Sequence, residues 1–211
     1  MTMRTALALV LALAAGDASA ADRAGDFDYY VLALSWSPSW CAREGDADDA
    51  QCDPAADFGF LVHGLWPQYD RGWPERCRTT ARDPSRAETA AMADVMGSGG
   101  LAWHAWRKPG RCTGLSARDY FALTREAFAR VALPEALRRL ERAVRIDPMV
   151  IEEAFLAENP GAVADGITVT CRDGYLQEVR VCFDRALDLR ACAPDAARDC
   201  RAELTRLPPI P

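Results

Sequence analysis

The sequence contains two histidines, and the first, His63, lies in the segment FLVHGLWPQ. The apolar residues predict a buried strand, and Gly64 and the Trp66-Pro67 pair place the imidazole near its end, beside an aromatic ring. An imidazole titrates near neutral pH and can give or take a proton, while a flat indole can stack on a nucleobase. A single histidine in an apolar run is also commonly a hydrogen-bonded core residue, so this segment alone leaves both roles open.

The second histidine, His104, lies in the segment WHAWRKPGRC. On a helix, His104 and Lys108 are four residues apart and therefore share a face. Two such side chains could hold a phosphate group. An ordinary surface helix with polar residues gives the same pattern, and spacing alone favours that interpretation.

Strands early and late in the chain, with helices between them, must position these two segments. Apolar and alternating runs predict strands over Phe27–Trp36, Asp57–Trp66, Ile167–Cys171 and Tyr175–Phe183, the last two joined by a hairpin turn at Arg172-Asp173-Gly174. Helical periodicity and capping residues predict helices over Ala87–Met96, Leu101–Lys108, Ser116–Val131, Pro134–Val144 and Asp147–Glu158. We therefore expect an α+β fold, with a central, mainly antiparallel sheet and packed helices.

The first twenty residues have the composition of a secretory signal peptide. Arg4 precedes an apolar run over residues 6–15, and Ala18-Ser19-Ala20 matches a cleavage site. We expect residues 1–20 to be removed and residues 21–211 to form one domain in the periplasm or outside the cell. No later segment is apolar for long enough to span a bilayer, so we expect no membrane partner.

Eight cysteines follow the signal segment, at positions 41, 52, 77, 112, 171, 182, 192 and 200. An even number of cysteines in an exported protein predicts disulfides, each contributing about 2–4 kcal/mol. A zinc site is the alternative, but the sequence has no C-x-x-C motif and only two histidines. We expect neither a metal nor a cofactor, and spacing alone does not select a disulfide pairing.

The net charge is −6, which argues against strong non-specific binding to nucleic acid. A local basic cleft remains compatible with this charge, because an enzyme that must release its product needs only a few phosphate contacts.

Together the two histidine segments resemble the ribonuclease T2 family, here a bacterial, exported member. FLVHGLWPQ is similar to the family's first active-site segment, and HAWRKPGRC to a degenerate form of the second, H-E-W-x-K-H-G-x-C. YYVLALSWSPSWC resembles the opening strand and TCRDGYLQEVRVCFD the late hairpin, so the resemblance covers nearly the whole mature chain. It implies metal-free cleavage of single-stranded RNA, in which the 2′-hydroxyl attacks the adjacent phosphate and leaves a 2′,3′-cyclic phosphate.

The resemblance also implies roles for individual residues. His63 matches the acid–base histidine, His104 the phosphate-contacting histidine, and Lys108 the lysine that stabilises the transition state. The family's acidic residue and its second catalytic histidine are replaced by Ala105 and Pro109. Neither replacement can carry a proton, and Pro109 also disfavours helical geometry at Lys108.

Base binding and disulfide pairing follow from the same resemblance. Trp66 and Gln68 fall where the family binds a base, and Leu101 stands where an aromatic residue often stacks on one. The implied disulfides are Cys41–Cys52, Cys77–Cys112, Cys171–Cys200 and Cys182–Cys192.

These expectations describe a monomeric protein that acts on single-stranded RNA and not on DNA, which lacks the 2′-hydroxyl. One general acid or base contributes about 10²–10⁴-fold in rate, so Ala105 and Pro109 predict a ribonuclease with strongly reduced turnover. The alternative is a non-catalytic relative that binds RNA or a protein through the same cleft. A third hypothesis is an exported disulfide scaffold without any nucleic-acid role.

Overall fold

The computed structural model describes residues 22–45 and 49–211; the expected signal peptide lies outside them. Six strands of the described part form one sheet: β1 (Tyr29–Trp36), β2 (Phe60–Gln68), β3 (Val144–Ile146), β4 (Ile167–Arg172), β5 (Tyr175–Phe183) and β6 (Thr205–Leu207). The α-helices are α1 (Ser37–Arg43), α2 (Arg86–Ala90), α3 (Ala93–Met96), α4 (Gly99–Arg107), α5 (Ala117–Ala129), α6 (Glu135–Arg138) and α7 (Pro148–Glu158). None of the helices described is long and apolar enough to cross a bilayer.

The centre of the sheet is antiparallel, which confirms the predicted α+β architecture. The strand order is β2-β1-β5-β6-β3, and β4 forms a hairpin with β5. Among the six described strands, β5 and β6 alone run parallel, through a single residue pair. Strand β1 therefore lies between β2 and β5 and holds them in register.

The two faces of β1 contact different clusters of apolar side chains. One face contributes Tyr30, Leu32, Leu34 and Trp36 to the main core, which also contains Trp106 of α4, Tyr120 of α5 and Phe155 of α7. The other face contributes Tyr29 and Val31 to a smaller cluster beside the Cys182–Cys192 disulfide. Period-2 alternation along β1 thus packs the helices on one face of the sheet and leaves the other face for a smaller cluster.

Strand β2 begins three residues later and ends two residues later than the predicted strand Asp57–Trp66. We expected a loop at Pro67, but the strand continues to Gln68 because β2 is an edge strand, where proline is tolerated. The Gln68 carbonyl accepts a hydrogen bond from the Asp28 amide at 2.8 Å, so the neighbouring Pro67 nitrogen points away from β1. The missing N–H of Pro67 therefore removes no hydrogen bond from the sheet.

Two of the predicted helices were wrong in extent. The segment predicted as one helix over Ala87–Met96 is split into α2 and α3, and α2 begins after Ser85, whose capping box with Glu88 fixes that end. The segment predicted as a helix over Pro134–Val144 contains only the four residues of α6. Val144 begins β3, whose partner β6 lies far along the chain, and this pairing overrides the local helical pattern.

Four disulfides join all eight cysteines: Cys41–Cys52, Cys77–Cys112, Cys171–Cys200 and Cys182–Cys192. This is the pairing that the resemblance implied. A disulfide framework of this density is typical of proteins in oxidising compartments outside the cytoplasm. Cys77–Cys112 closes a loop that contains α2, α3 and α4, and it anchors the end of α4 to the segment after β2.

Candidate active site

A cleft with a cavity of about 300 Å³ lies along β2, between the sheet and the C-terminal end of α4. Its walls include the residues His63, Trp66, Gln68, His104, Ala105, Lys108 and Pro109, which the sequence analysis singled out. Leu101 is not among them. The structure therefore brings both histidine segments to one cleft, although they come from a strand and a helix.

A β-bulge aims His63 into this cleft. Ala33 of β1 pairs with Gly64, and Leu34 pairs with Val62, so His63 is the extra residue of β2 at this point. A bulge turns two successive residues towards the same face, and such bulges are frequent beside active sites. The His63 side chain is 38% exposed, which leaves its ring accessible from the cleft.

The buried carboxylate of Glu178 contacts the His63 ring. The distance from Nδ1 of His63 to Oε1 of Glu178 is 2.6 Å, and the Glu178 side chain is 2% exposed. Burial raises the pKa of Glu178, but the hydrogen bond and charge of His63 together with Arg180 outweigh burial and hold that pKa below its usual value. Glu178 is therefore ionised at neutral pH.

Neither Glu178 nor Arg180 was predicted from the sequence. The available signal was an acidic residue in the middle of a strand that also contains Leu176, Val179 and Val181, a position where a buried charge needs a partner. Nε and Nη2 of Arg180 bind Oε2 of Glu178 at 3.0 and 2.9 Å. These residues pair with the small residues Ser35 and Ala33 of β1, which leave room for the contact between β5 and β2.

Trp66 forms an aromatic wall beside His63. The two ring centres are 5.3 Å apart in an edge-on arrangement, and the Arg180 guanidinium lies 5.4 Å from the centre of the Trp66 ring. Gly64 leaves the space for this indole, because a Cβ at position 64 would lie 2.5 Å from Trp66 Nε1. Gln68 is also in the wall, but its Nε2 donates to the Pro67 carbonyl at 2.9 Å.

Helix α4 supplies two basic side chains to the opposite wall. Ser98 caps the start of the helix, and the helix ends at Arg107, with Lys108 as its C-cap just before the proline. His104 and Lys108 both line the cavity, so they share a face as predicted. Burial, together with the positive charges of His63 and Lys108, lowers the pKa of His104, which favours its neutral form at neutral pH.

Ala105 and Pro109 occupy the wall between these basic groups. Ala105 is 2% exposed and packs in the main core, whereas Pro109 is half-buried and lines the cavity next to Lys108. Within the described residues, the cavity has no third imidazole, and its carboxylates are Glu75 and Asp195. No group of three or more histidine, cysteine, aspartate or glutamate side chains in the described ranges could hold a metal ion.

Trp73 and Glu75 are cavity residues that the sequence analysis missed. Oε1 of Glu75 lies 3.2 Å from Nζ of Lys108 and accepts a hydrogen bond from the Trp73 indole at 2.9 Å. The indole hydrogen bond and the Lys108 ammonium lower the pKa of Glu75 against a smaller opposing effect of burial. The Trp73 side chain is 55% exposed at the mouth of the cleft, where an aromatic ring can stack on a ligand.

Leu101 lines a second cavity of about 260 Å³, together with Trp40, Gln51 and Met96. His63 borders both cavities and therefore lies between them. The Trp66 ring and the Leu101 side chain thus belong to two different cavities that share His63.

The sequence and the fold both match one family of known proteins. The model of the Ribonuclease T2 family matches residues 27–192. A ribonuclease from Aeromonas hydrophila is 36% identical over 166 residues, which cover 77% of this chain and 74% of the relative.

Two solved structures share the fold. An RNase-related protein from Calystegia sepium superposes with a TM-score of 0.71 and 22% identity over 88% of this chain and 99% of its own. RNase NT in complex with 5′-AMP gives a TM-score of 0.63 and 24% identity, over 87% of this chain and 99% of its own. The chain belongs to the ribonuclease T2 family.

Proposed function

We propose that this protein is an exported endoribonuclease that cleaves single-stranded RNA by metal-free transphosphorylation. Its turnover is strongly reduced by Ala105 and Pro109. The observation that carries the proposal is the convergence of His63, His104 and Lys108 on one cleft beside the Trp66 indole. A proton carrier, cationic and hydrogen-bonding groups for a phosphate, and a stacking surface for a base are what this reaction requires.

In the proposed reaction, each wall of the cleft serves one step. A base stacks on Trp66, and the phosphate then lies between His63 and the α4 wall, where His104 and Lys108 contact its oxygens. The 2′-oxygen attacks phosphorus as the bond to the 5′-oxygen breaks, and the leaving oxygen takes up a proton while the 2′-hydroxyl loses one. Nε2 of His63 performs one of these transfers, because its Nδ1 is held by Glu178.

For the second proton transfer, the family uses a histidine at the position that Pro109 occupies in this chain. Losing one acid–base group costs about 10²–10⁴-fold in rate, which corresponds to about 3–5 kcal/mol in barrier height. His104 or a water molecule takes over this step, each less effectively than a placed imidazole. The product remains a 2′,3′-cyclic phosphate, because the attacking group is part of the substrate.

A second candidate function is binding without turnover. The observation that favours it is that the side chains at 105 and 109 are non-ionisable, while the stacking and cationic walls are intact. Such a protein would hold single-stranded RNA, or an acidic segment of another protein, in the same cleft.

Cleavage assays on four chains separate these functions. The oxidised mature protein, residues 21–211, is incubated with single-stranded RNA in the presence of a chelator, and the product ends are analysed for 2′,3′-cyclic phosphate. The comparison includes His63→Ala, the double variant Ala105→Glu/Pro109→His, and Arg107→Gln. Arg107 is on α4 and exposed but outside the cavity, so its variant controls for loss of one positive charge.

We expect slow cleavage by the parent and by Arg107→Gln, none by His63→Ala, and cleavage faster by about 10²-fold or more in the double variant. A silent parent beside an active double variant supports the binding function. If the double variant is also silent, the chain keeps the family's fold without its reaction. If the parent cleaves as fast as the double variant, Pro109 does not limit turnover.

A further inference from the structure

We propose that Glu178 is a positioning residue that fixes the His63 ring in the tautomer with hydrogen on Nδ1, so that Nε2 serves the cleft. Arg180 in turn fixes the carboxylate. The inference rests on the proposed function for the use of Nε2, but the tautomer itself can be observed without any substrate.

Towards the imidazole, Glu178 can act only as a hydrogen-bond acceptor. An ionised carboxylate accepts hydrogen bonds and donates none, so the 2.6 Å contact requires the hydrogen to be on Nδ1. Oε2 accepts from Nε and Nη2 of Arg180, at 3.0 and 2.9 Å. Because both oxygens are held and the side chain is 2% exposed, the carboxylate cannot rotate away from the ring.

The pair Glu178–Arg180 also stabilises the site when His63 is neutral. A buried carboxylate without a partner is strongly unfavourable, and Arg180 supplies the compensating charge whether or not His63 carries its second proton. The other charged or titratable groups of the cleft are His104 and Lys108 of the α4 wall with the carboxylates of Glu75 and Asp195. The second cavity beside the ring adds Arg43, Glu44 and Arg172. His63 can therefore gain and lose a proton at Nε2 while Glu178 stays ionised.

The same guanidinium connects the imidazole to the base-binding wall. Arg180 lies 5.4 Å from the centre of the Trp66 ring while it holds Glu178. One chain of contacts thus runs from the indole through Arg180 and Glu178 to His63. The orientation of His63 matters more in this chain than in a site with two catalytic histidines, because Pro109 stands where the second one would be.

Substituting Glu178 by glutamine makes a sharp test. Glutamine has nearly the same shape, but its amide can satisfy both neighbours in one orientation only. The oxygen must face the two N–H groups of Arg180, and the NH₂ group then faces Nδ1 of His63. A donor at that place forces Nδ1 to accept, so the ring hydrogen moves to Nε2.

The chain's two histidines make the tautomer directly measurable. Long-range ¹H–¹⁵N correlation spectra of the full oxidised chain, labelled at histidine, are recorded across the titration, and His104→Ala assigns the remaining signal. We expect hydrogen on Nδ1 of neutral His63 in the parent and on Nε2 in Glu178→Gln. Glu126→Gln removes an exposed carboxylate outside both cavities and should leave the His63 spectrum unchanged.

Kinetics are measured in the Ala105→Glu/Pro109→His background. Adding Glu178→Gln should lower kcat by at least about tenfold, change KM by less than about threefold and alter the pH profile of kcat. Hydrogen on Nε2 in the parent overturns the proposal, as does an inverted tautomer with unchanged kcat. If the background variant is inactive, the proposed function fails, and the parent and Glu178→Gln spectra still decide whether Glu178 sets the tautomer.

Discussion

Substituting Gly64 by alanine tests whether the backbone beside His63 positions the Trp66 indole. A Cβ at this position would lie 2.5 Å from Nε1 and 2.9 Å from Cδ1 of Trp66, and 3.7 Å from the Cβ of Ala105. Unbonded carbon contacts are most favourable at about 3.5–4.0 Å, so the indole must move by about 1 Å. Overpacking of this kind costs about 1–3 kcal/mol, and the stiffer unfolded chain returns about 0.4–1 kcal/mol.

We therefore expect Gly64→Ala to lower the free energy of unfolding by about 1–2 kcal/mol, or Tm by about 2–8 °C for a domain of this size. A displaced indole should also weaken nucleotide binding by about tenfold, because stacking of one base contributes about 1–3 kcal/mol. Urea denaturation of the oxidised protein gives the first quantity. Titration with a mononucleotide at low salt gives the second.

Gly100→Ala is the matched control. Gly100 lies in the first turn of α4, and a Cβ there would meet only the Ser98 hydroxyl at 3.6 Å. This variant should be as stable as the parent or more stable, by up to about 1 kcal/mol, with unchanged binding. Equal stability and equal nucleotide affinity for the two alanine variants would refute the conclusion that Gly64 makes room for Trp66.

Two further predictions concern ionisable side chains. Glu75→Gln removes the carboxylate that pairs with Lys108 and should raise the affinity for a short RNA by about two- to fivefold. Glu126→Gln, which removes an exposed carboxylate elsewhere, should leave the affinity unchanged. Equal Kd values for the parent and both variants would contradict this prediction. Burial, with Asp199 nearby, raises the pKa of Glu152 to about 7 from an ordinary value of 4.5. The folded chain thus keeps a proton that the unfolded chain releases, so the free energy of unfolding should fall as pH rises between these values. Glu152→Gln should flatten that decline in urea denaturation between pH 5 and 8, and an unchanged slope would show that Glu152 does not cause it.

Elements with strong local signals were predictable from the sequence. The β4–β5 hairpin turns at Asp173-Gly174, and both residues have positive φ, 51° and 79°, as the turn type requires. Helix α7 begins at Pro148 with Asp147 as its N-cap, because the aspartate side chain accepts from the Met149 amide. In both cases, a few adjacent residues determine the conformation.

The failures arose where distant residues decide the outcome. Val144–Ile146 is a strand because it pairs with Thr205–Leu207, and no local pattern shows that partner. The same holds at the site, where His63 was predictable from its motif but its partner Glu178 lies 115 positions away. The bulge that aims His63 depends on its register against β1, which the composition of β2 alone does not specify.

Pro67 at the sheet edge has a consequence for association between molecules. An exposed edge strand normally presents a row of free N–H and C=O groups onto which a strand from another molecule can add. Pro67 faces outward and has no N–H, so the row of free backbone groups along β2 is interrupted there, beside the mouth of the cleft. Growth of the sheet into dimers or fibres along β2 is therefore disfavoured, which keeps the cleft side of the molecule open.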